Sequence, residues 1–297
     1  MITSHTAIYE SEDNENRTSS EPPYFIATAI QTGISDNSSG IPDLTPFCPI
    51  GNCTWEPYNS LAVCVRWADV SSKLQRSAAA VVRSPKAKVA NWSLDNRTLI
   101  RGSEYNTVGL NVSNTAEPVT EPDVDYHIEF SGLSAFKDSS APLAHFFVTY
   151  RNGSTSDNEY LRFSAVEFLL EWCVQAYKTE VKSGVSTTTR LKARKDFQNS
   201  ESGQMFIETA HGDSYYVPGS SSYSLPDYLR KTFSGSIFED RSKWVTKTSD
   251  VAEAFHSKLK ADLWRSSDLD SGGLEDAGVR TAMVQIVENV ATSMTNA

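Results

Sequence analysis

The chain has 297 residues, of which 39% are hydrophobic and 22% charged, so it can bury a substantial core as one large domain or two small ones. Its formal net charge of −10 argues against a general nucleic-acid-binding protein, because phosphate contacts require clustered Lys and Arg. No stretch approaches the roughly 18 apolar residues of a membrane span, and the residues after Met1 lack the basic and apolar pattern of a signal peptide.

The first half of the chain predicts mostly strands. Residues 1–22 are polar and acidic, which is typical of a disordered lead-in, and residues 24–31 (YFIATAIQ) form an apolar run typical of a strand. A corner with three cysteines follows at 48–64, and short alternating runs such as KVANWSL, DYHIEF and AHFFVTY continue to residue 150. We therefore expect a β-rich part over residues 23–160.

The clearest helix signal begins at Ser164. Ser164 and Glu167 have the spacing of a capping box, in which each side chain bonds the other residue's backbone N–H. Gly184 suits the end of such a helix. Apolar residues recur between them at helical spacing, namely Phe168, Leu169, Trp172, Cys173, Ala176 and Tyr177. The pattern predicts a helix over residues 164–182 with Cys173 on its buried face.

The rest of the chain predicts a linker, a hairpin and two more helices. Residues 183–203 are polar, and their basic run at 190–195 is typical of a solvated linker. The stretch QMFIETAHGDSYYV resembles a β-hairpin that turns at residues 211–213. A helix capped by Ser249 or Asp250 is predicted by the four-residue spacing of its apolar residues, which are Val251, Phe255, Leu259 and Leu263. A further helix is predicted over residues 274–294.

These elements predict an α+β fold with one domain over residues 23–297. In it, the β-rich part packs against helices from the part that spans residues 161–297. No internal repeat is visible in the chain.

Seven Asn-x-Ser/Thr sequons lie in the first 152 residues, and the later asparagines are not in sequons. This modest excess over chance indicates a glycosylated surface in an oxidising lumen or outside the cell, although a Ser/Thr-rich chain also produces accidental matches. The predicted N-glycosylation sites are Asn16, Asn37, Asn52, Asn91, Asn96, Asn111 and Asn152.

The four cysteines are Cys48, Cys53, Cys64 and Cys173. A zinc site would need a second close cysteine pair, which the wide separation of Cys64 and Cys173 does not supply, and no Cys-x-x-Cys redox motif is present. Two structural disulfides are the best interpretation of an even number of cysteines. The residues alone leave all three connectivities open.

The sequence contains no complete motif of a catalytic, metal or cofactor site. The five histidines stand alone, as surface or core histidines usually do, and there is no nucleophile elbow, P-loop or dinucleotide fingerprint. The acidic pairs Asp123/Asp125 and Glu239/Asp240 are typical of solvated loop carboxylates. Residues 268–273 begin like a calcium loop but lack its later ligands. We predict no metal, no cofactor and no assigned catalytic residue.

Several segments carry a resemblance to a known family. The block at 48–55 (CPIGNCTW) is the most specific, and 60–70 (SLAVCVRWADV), 171–177 (EWCVQAY) and 287–296 (VENVATSMTN) are looser matches. They resemble a large fungal family of multi-pass membrane proteins of unknown function, over roughly residues 44–297. The resemblance implies a domain that faces away from the cytosol, held in the membrane by flanking helices that are absent from this chain.

The resemblance also implies how the cysteines pair. Family members usually have cysteines where this chain has Trp67 and Phe168, which suggests that these two positions face each other with an aromatic contact in place of a disulfide. Cys64 would then lie near Cys173 on antiparallel segments. The disulfides implied are Cys48–Cys53 and Cys64–Cys173.

Together these observations predict a non-catalytic, glycosylated extracytoplasmic domain of a fungal membrane protein, with a role in binding, sensing or assembly through an unknown ligand or protein partner. It would face the cell exterior or an organelle lumen. The alternatives are a carboxylate-dependent hydrolase using Asp123, Asp125 or Glu129, a membrane-tethered biosynthetic accessory protein, or a cytosolic protein with accidental sequons. Asn52 lies inside the implied Cys48–Cys53 loop, so we expect it to be the least glycosylated sequon.

Overall fold

The structure is a computed structural model of the chain. The residues it describes are 22, 24–35, 46–77, 80–83, 86–94, 97–103, 106–115, 130, 134–151, 163–199, 205–208, 212–217, 221–240, 243–247, 249–265 and 276–296. Apart from Pro22, the predicted lead-in over residues 1–22 lies outside the described residues.

Helices and strands both contribute to the fold. The helices are α1 (Tyr24–Ser35), α2 (Ser221–Thr232), α3 (Asp250–Arg265) and α4 (Asp276–Asn296), with a short 3₁₀ turn at Ser71–Lys73. The strands are β1 (Cys53–Thr54), β2 (Tyr58–Asp69), β3 (Gln75–Arg76), β4 (Ala80–Arg83), β5 (Lys86–Leu94), β6 (Arg97–Ser103), β7 (Asn106–Asn114), β8 (Pro142–Arg151), β9 (Phe163–Lys182), β10 (Val185–Arg194), β11 (Gln198–Asn199), β12 (Met205–Glu208), β13 (Ser214–Val217), β14 (Gly235–Asp240) and β15 (Lys243–Lys247).

The large antiparallel sheet is built around β9, a strand of 20 residues. One edge of β9 pairs with β8 over residues 163–171 and with β10 over residues 174–182. The other edge pairs with β2 over residues 166–177 and with β1 at residues 180–181. Beyond β8 the sheet continues through β7 and β14 to β15. Because β9 has partners along both edges, it positions most of the polar groups described below.

The predicted helix over residues 164–182 is wrong, because these residues form β9. Every residue from Phe163 to Glu171 is buried, on both faces of the strand. A strand that is covered on both faces has a continuous apolar sequence, which spacing alone does not distinguish from a buried helix. Ser164 and Glu167 consequently form no capping box.

The implied pairing of β2 with β9 is confirmed. Trp67 lies opposite Phe168 in an antiparallel register. The Cys64–Cys173 disulfide joins the same two strands, with the Cα atoms 5.9 Å apart, and a second disulfide joins Cys48 to Cys53. Phe168 is fully buried whereas Trp67 is 47% exposed, so the two aromatic side chains have different environments.

The strand predicted over residues 24–31 is also wrong, since α1 covers residues 24–35. Its buried residues Ile30, Gly33 and Ile34 have the i, i+3, i+4 spacing of one helix face, and this face packs against α4. A Cβ atom at Gly33 would lie 2.4 Å from the Cα atom of Val290. Glycine therefore allows a close approach of two helices that are distant in sequence.

The main core lies between one face of the large sheet and the helices. Phe146 on β8 stacks on Phe168 of β9, with ring centroids 5.3 Å apart, and on Phe233 after α2, at 4.4 Å. Residues of all four helices join this cluster, including Val251 and Phe255 of α3. This arrangement confirms the predicted α+β class, in which a β-rich part packs against helices. The two disulfides cross-link the β-rich part itself.

Two smaller sheets cover other parts of the large sheet. One consists of β11, β12 and β13, and Ile207 and Val217 from it pack on Val174 of β9. The other consists of β3, β4, β5 and β6, from which Leu94 packs on Phe147 of β8. Together with the helices, these sheets explain why β9 is buried on both faces.

Three further predictions have clear outcomes. The hairpin is confirmed, because β12 and β13 pair antiparallel. The helices over α3 and α4 are also confirmed, and the Oγ atom of Ser249 accepts a hydrogen bond from the N–H of Ala252, as an N-cap residue does. The linker predicted over residues 183–203 is wrong, because most of it forms β10 and β11.

Candidate functional site

A polar cleft opens where α4 meets β2, β9 and β10, with a volume of about 250 Å³. Its polar lining comes from Gln175 and Tyr177 on β9, Arg190 on β10, Lys195 just after β10, and Glu288 on α4. The sequence does not single out these residues as a site, because the basic run that contains Arg190 is typical of a solvated linker. Pairing of β10 with β9 turns part of that run toward the cleft.

The two cations of the cleft have different partners. The Lys195 ammonium lies 2.7 Å from the Glu171 carboxylate, so its charge is compensated. The Arg190 guanidinium donates a hydrogen bond of 2.5 Å to the hydroxyl of Thr292. A neutral hydroxyl leaves the Arg190 charge uncompensated within this contact, so the guanidinium is suited to an anionic ligand group.

Neighbouring groups hold the cleft wall in place. The Gln175 side-chain amide donates to the carbonyl oxygens of Leu191, at 2.7 Å, and Ala176, at 3.0 Å. Tyr177 stacks on Tyr58 with ring centroids 5.6 Å apart. Burial raises the pKa of the Tyr177 phenol, and the positive charge of Arg190 acts in the opposite direction. The phenol is therefore a neutral hydrogen-bonding group at physiological pH.

The Cys64–Cys173 disulfide lies beside the cleft. Cys64 is among the lining residues and is partly exposed, whereas Cys173 is fully buried. The bridge fixes β2 against β9, the two strands that carry Ala62, Val63 and Gln175 of the lining. The shape of the cleft therefore depends on the disulfide.

A second polar group, the buried His145 network, lies under the segment 134–141. His145 and Glu167 are both fully buried, and the Nε2 atom of His145 lies 2.7 Å from the Glu167 carboxylate. On its other side, the Nδ1 atom of His145 lies 2.6 Å from the Thr115 hydroxyl. Because a carboxylate only accepts hydrogen bonds, the Nε2–H group of His145 donates to Glu167, while the Nδ1 atom and the Thr115 hydroxyl bond each other.

Glu167 also binds the segment 134–141 directly. Its carboxylate accepts hydrogen bonds from the Ser134 hydroxyl and, at 3.2 Å, from the N–H of Ala135. Burial raises the pKa of the Glu167 carboxyl, but the hydrogen bonds from His145, Ser134 and Ala135 outweigh this effect and hold the pKa below its ordinary value of 4.5. The ionised carboxylate therefore fastens the segment to the sheet.

Glu171, four residues after Glu167 and on the same face of β9, fastens the other end of the segment. It accepts a hydrogen bond of 2.6 Å from the Ser139 hydroxyl and pairs with Lys195. Arg66 on β2 completes the contact, since it pairs with Asp138 at 2.8 Å and lies over the Phe136 ring. Lys195 both lines the cleft and pairs with Glu171, so it connects the segment 134–141 to the cleft.

The Thr115, His145 and Glu167 side chains have the hydroxyl–imidazole–carboxylate order of a catalytic triad. The hydroxyl is only 2% exposed and the imidazole fully buried, with Phe130, Phe136 and Phe147 around the ring. A substrate has no access to such a hydroxyl. The network is therefore a structural one, and His145 is a core histidine with both ring nitrogens bonded.

Three of the seven sequon asparagines lie among the described residues. Asn52 is exposed, and its side-chain oxygen accepts a hydrogen bond of 2.9 Å from the N–H of Ser183. Asn91 lies on β5 and is partly buried. Asn111 lies on β7 between two neighbouring strands, and its side chain bonds Ser113 and Ser236. Asn16, Asn37, Asn96 and Asn152 lie outside the described residues.

The remaining candidates from the sequence contribute little to the cleft. Asp123, Asp125 and Glu129 lie outside the described residues, as does the calcium-like stretch at 268–273. Glu239 and Asp240 belong to β14, far from β10 in the strand order of the sheet. In the described part of the chain, no group of three His, Cys, Asp or Glu residues is arranged to hold a metal ion.

None of the described helices combines the length and the apolar character needed to cross a bilayer. Comparison of the chain with family models, with curated proteins and with solved structures finds no match.

Proposed function

We propose that this chain is a non-catalytic, glycosylated extracytoplasmic domain of a fungal membrane protein, and that it binds a small anionic ligand in the polar cleft. The observation that carries the binding role is the Arg190 guanidinium, which lines the cleft and contacts the neutral Thr292 hydroxyl. The resemblance of residues 48–55 to the fungal membrane family supports the location.

The disulfides support an oxidising compartment. Cys64–Cys173 joins two central strands, and Cys48–Cys53 closes the loop beside β1, so both bridges belong to the folded structure. Structural disulfides form and persist in secreted and luminal proteins and are rare in the cytosol. The exposed sequon at Asn52 agrees with such a compartment.

The cleft favours binding over hydrolysis. A glycosidase needs two carboxyl groups about 5–10 Å apart around the scissile bond. Among the described residues that line the cleft, Glu288 is the single carboxylate. Carboxylate-dependent hydrolysis would therefore need Asp123, Asp125 or Glu129, none of which lies within the described residues.

Titration of the oxidised chain with phosphate, citrate and glucuronate tests the binding role. We expect one of these anions to shift backbone amide NMR signals of Gln175, Arg190 and Ala291, and the Arg190→Gln variant to lose the response. Lys192→Gln is the matched control, because Lys192 is an exposed cation on the same strand and does not line the cleft. Absence of a response to all three anions, or an equal loss in the control, would contradict the proposal.

Expression through the secretory pathway of a yeast host tests the compartment. We expect glycosidase treatment to increase the gel mobility of the secreted chain, and peptide mapping without reductant to recover both disulfides. Free thiols together with unchanged mobility would refute an extracytoplasmic location.

A further inference from the structure

The end of the β9–β10 hairpin carries exposed apolar side chains. Phe47 is 89% exposed, Ile50 is 76% exposed and Val185 is 66% exposed. Ile50 lies inside the Cys48–Cys53 loop, Phe47 precedes that loop, and Val185 follows the turn between β9 and β10. We call these three residues the apolar tip. Single exposed apolar residues are common, but several on adjoining turns indicate an interaction site.

The two turns that carry the apolar tip are held together. The N–H of Gly184 donates a hydrogen bond of 2.9 Å to the carbonyl oxygen of Gly51, and the N–H of Ser183 donates to the Asn52 side chain at 2.9 Å. Within the loop, the N–H of Gly51 donates to the carbonyl oxygen of Cys48. The tip is therefore a preformed structure whose apolar residues project from turns.

These hydrogen bonds bear on the nature of the partner. A turn whose apolar side chains reach the acyl boundary loses part of its backbone hydration, and donors that already have internal partners lower the cost of that loss. At the tip, the N–H groups of Gly51, Ser183 and Gly184 already have partners.

The charge beside the tip has the sign that anionic lipids attract. The part of the hairpin nearest the turn, residues 178–189, carries two Lys and one Glu, a net charge of +1, while the whole chain has −10. The other cations of the hairpin lie further from the turn, and Arg194 pairs there with Asp196. The exposed Lys178 and Lys182 lie nearest the turn, and Lys182 pairs with Glu180 at 2.8 Å. Basic residues next to inserted apolar ones strengthen binding to an anionic membrane surface.

We propose that the apolar tip binds the surface of an anionic lipid bilayer, with Phe47, Ile50 and Val185 inserted among the headgroups and the basic hairpin lying beside them. This contact is peripheral and is distinct from the cleft. It does not depend on an anionic ligand in the cleft, so either proposal can fail without the other.

Flotation of the oxidised full chain with vesicles tests the proposal. We expect it to float with vesicles of 70% phosphatidylcholine and 30% phosphatidylserine, and much less with phosphatidylcholine alone. Ile50→Ser should lower the partition coefficient about tenfold, since burial of one large apolar side chain contributes this much or more. Lys178→Glu with Lys182→Glu should also weaken binding, more strongly at low salt.

Tyr216→Ser is the matched control, because Tyr216 is 48% exposed but lies on β13, away from the tip. Its partition coefficient should equal that of the unmodified chain, and circular dichroism should show that all variants are folded. Three results would overturn the proposal: no flotation of the unmodified chain, equal losses for Ile50→Ser and Tyr216→Ser, or a dimer that Ile50→Ser abolishes in the absence of vesicle binding. The last result would identify the tip as a contact between copies of the chain.

Discussion

Replacement of Glu167 by Gln tests how the segment 134–141 is held. The carboxylate accepts hydrogen bonds from the Ser134 hydroxyl, from the N–H of Ala135 at 3.2 Å, and from the Nε2 atom of His145 at 2.7 Å. Gln offers one carbonyl oxygen and one NH₂ group in nearly the same volume. At least one of the three donors would therefore face another donor in a fully buried site.

The size of the effect follows from these contacts. A hydrogen bond to a charged group contributes about 1.5–3 kcal/mol, and a buried donor left without an acceptor costs about 1–3 kcal/mol. We expect Glu167→Gln to lower the free energy of unfolding at pH 7 by about 2–4 kcal/mol.

The effect has a defined pH dependence. The folded pKa of Glu167 lies below its ordinary value of 4.5, so the ionised carboxylate stabilises the fold fully above pH 4.5. This contribution is lost as the pH falls through the folded pKa, where the folded carboxylate takes up a proton. The difference between the unmodified chain and Glu167→Gln should therefore shrink as the pH is lowered from 4.5.

Urea unfolding of the oxidised chain, followed by circular dichroism at pH 7 and at a series of lower pH values, measures both quantities. Glu180→Gln is the control, because Glu180 lies on the same strand and pairs with the exposed Lys182 instead of a buried partner. We expect it to change the urea midpoint little. A difference below about 1 kcal/mol for Glu167→Gln at pH 7, or one that does not shrink in acid, would refute the reasoning.

Three further predictions concern other parts of the molecule. Gly33→Ala should lower the free energy of unfolding by about 1–3 kcal/mol in urea titrations, because its Cβ would meet the backbone of Val290; an unchanged midpoint would contradict this packing. Replacement of Cys64 and Cys173 together by Ala should cost about 4–5 kcal/mol in the chain-entropy model, since the bridge joins residues 109 apart, and a loss below about 1 kcal/mol would contradict its role. Glycopeptide mass spectrometry should find Asn111 less occupied than Asn52, because the Asn111 side chain is bonded within the sheet whereas Asn52 is exposed. This revises the expectation from the sequence that Asn52 is the least occupied sequon, and full occupancy of Asn111 would refute it.

The sequence by itself determined features that depend on near neighbours along the chain. The helix that begins after Ser249 has its N-cap and its four-residue apolar spacing within a few turns, and the hairpin before Val217 has its turn residues between two short strands. The even number of cysteines indicated disulfides from composition alone. Their pairing was not determined by the residues alone, and was implied by the family resemblance before the register of β2 with β9 confirmed it.

The tertiary structure decided what depends on distant partners. Residues 163–182 became a strand because helices, small sheets and the segment 134–141 cover both of its faces, and spacing within the run does not reveal that cover. Residues 24–35 form a helix whose apolar face packs against α4, far along the chain, and Gly33 allows that close contact. Glu167, which the sequence predicts to cap a helix, bonds His145 instead. A buried charge needs hydrogen-bonding partners, and the fold supplies them from residues that are distant in the sequence.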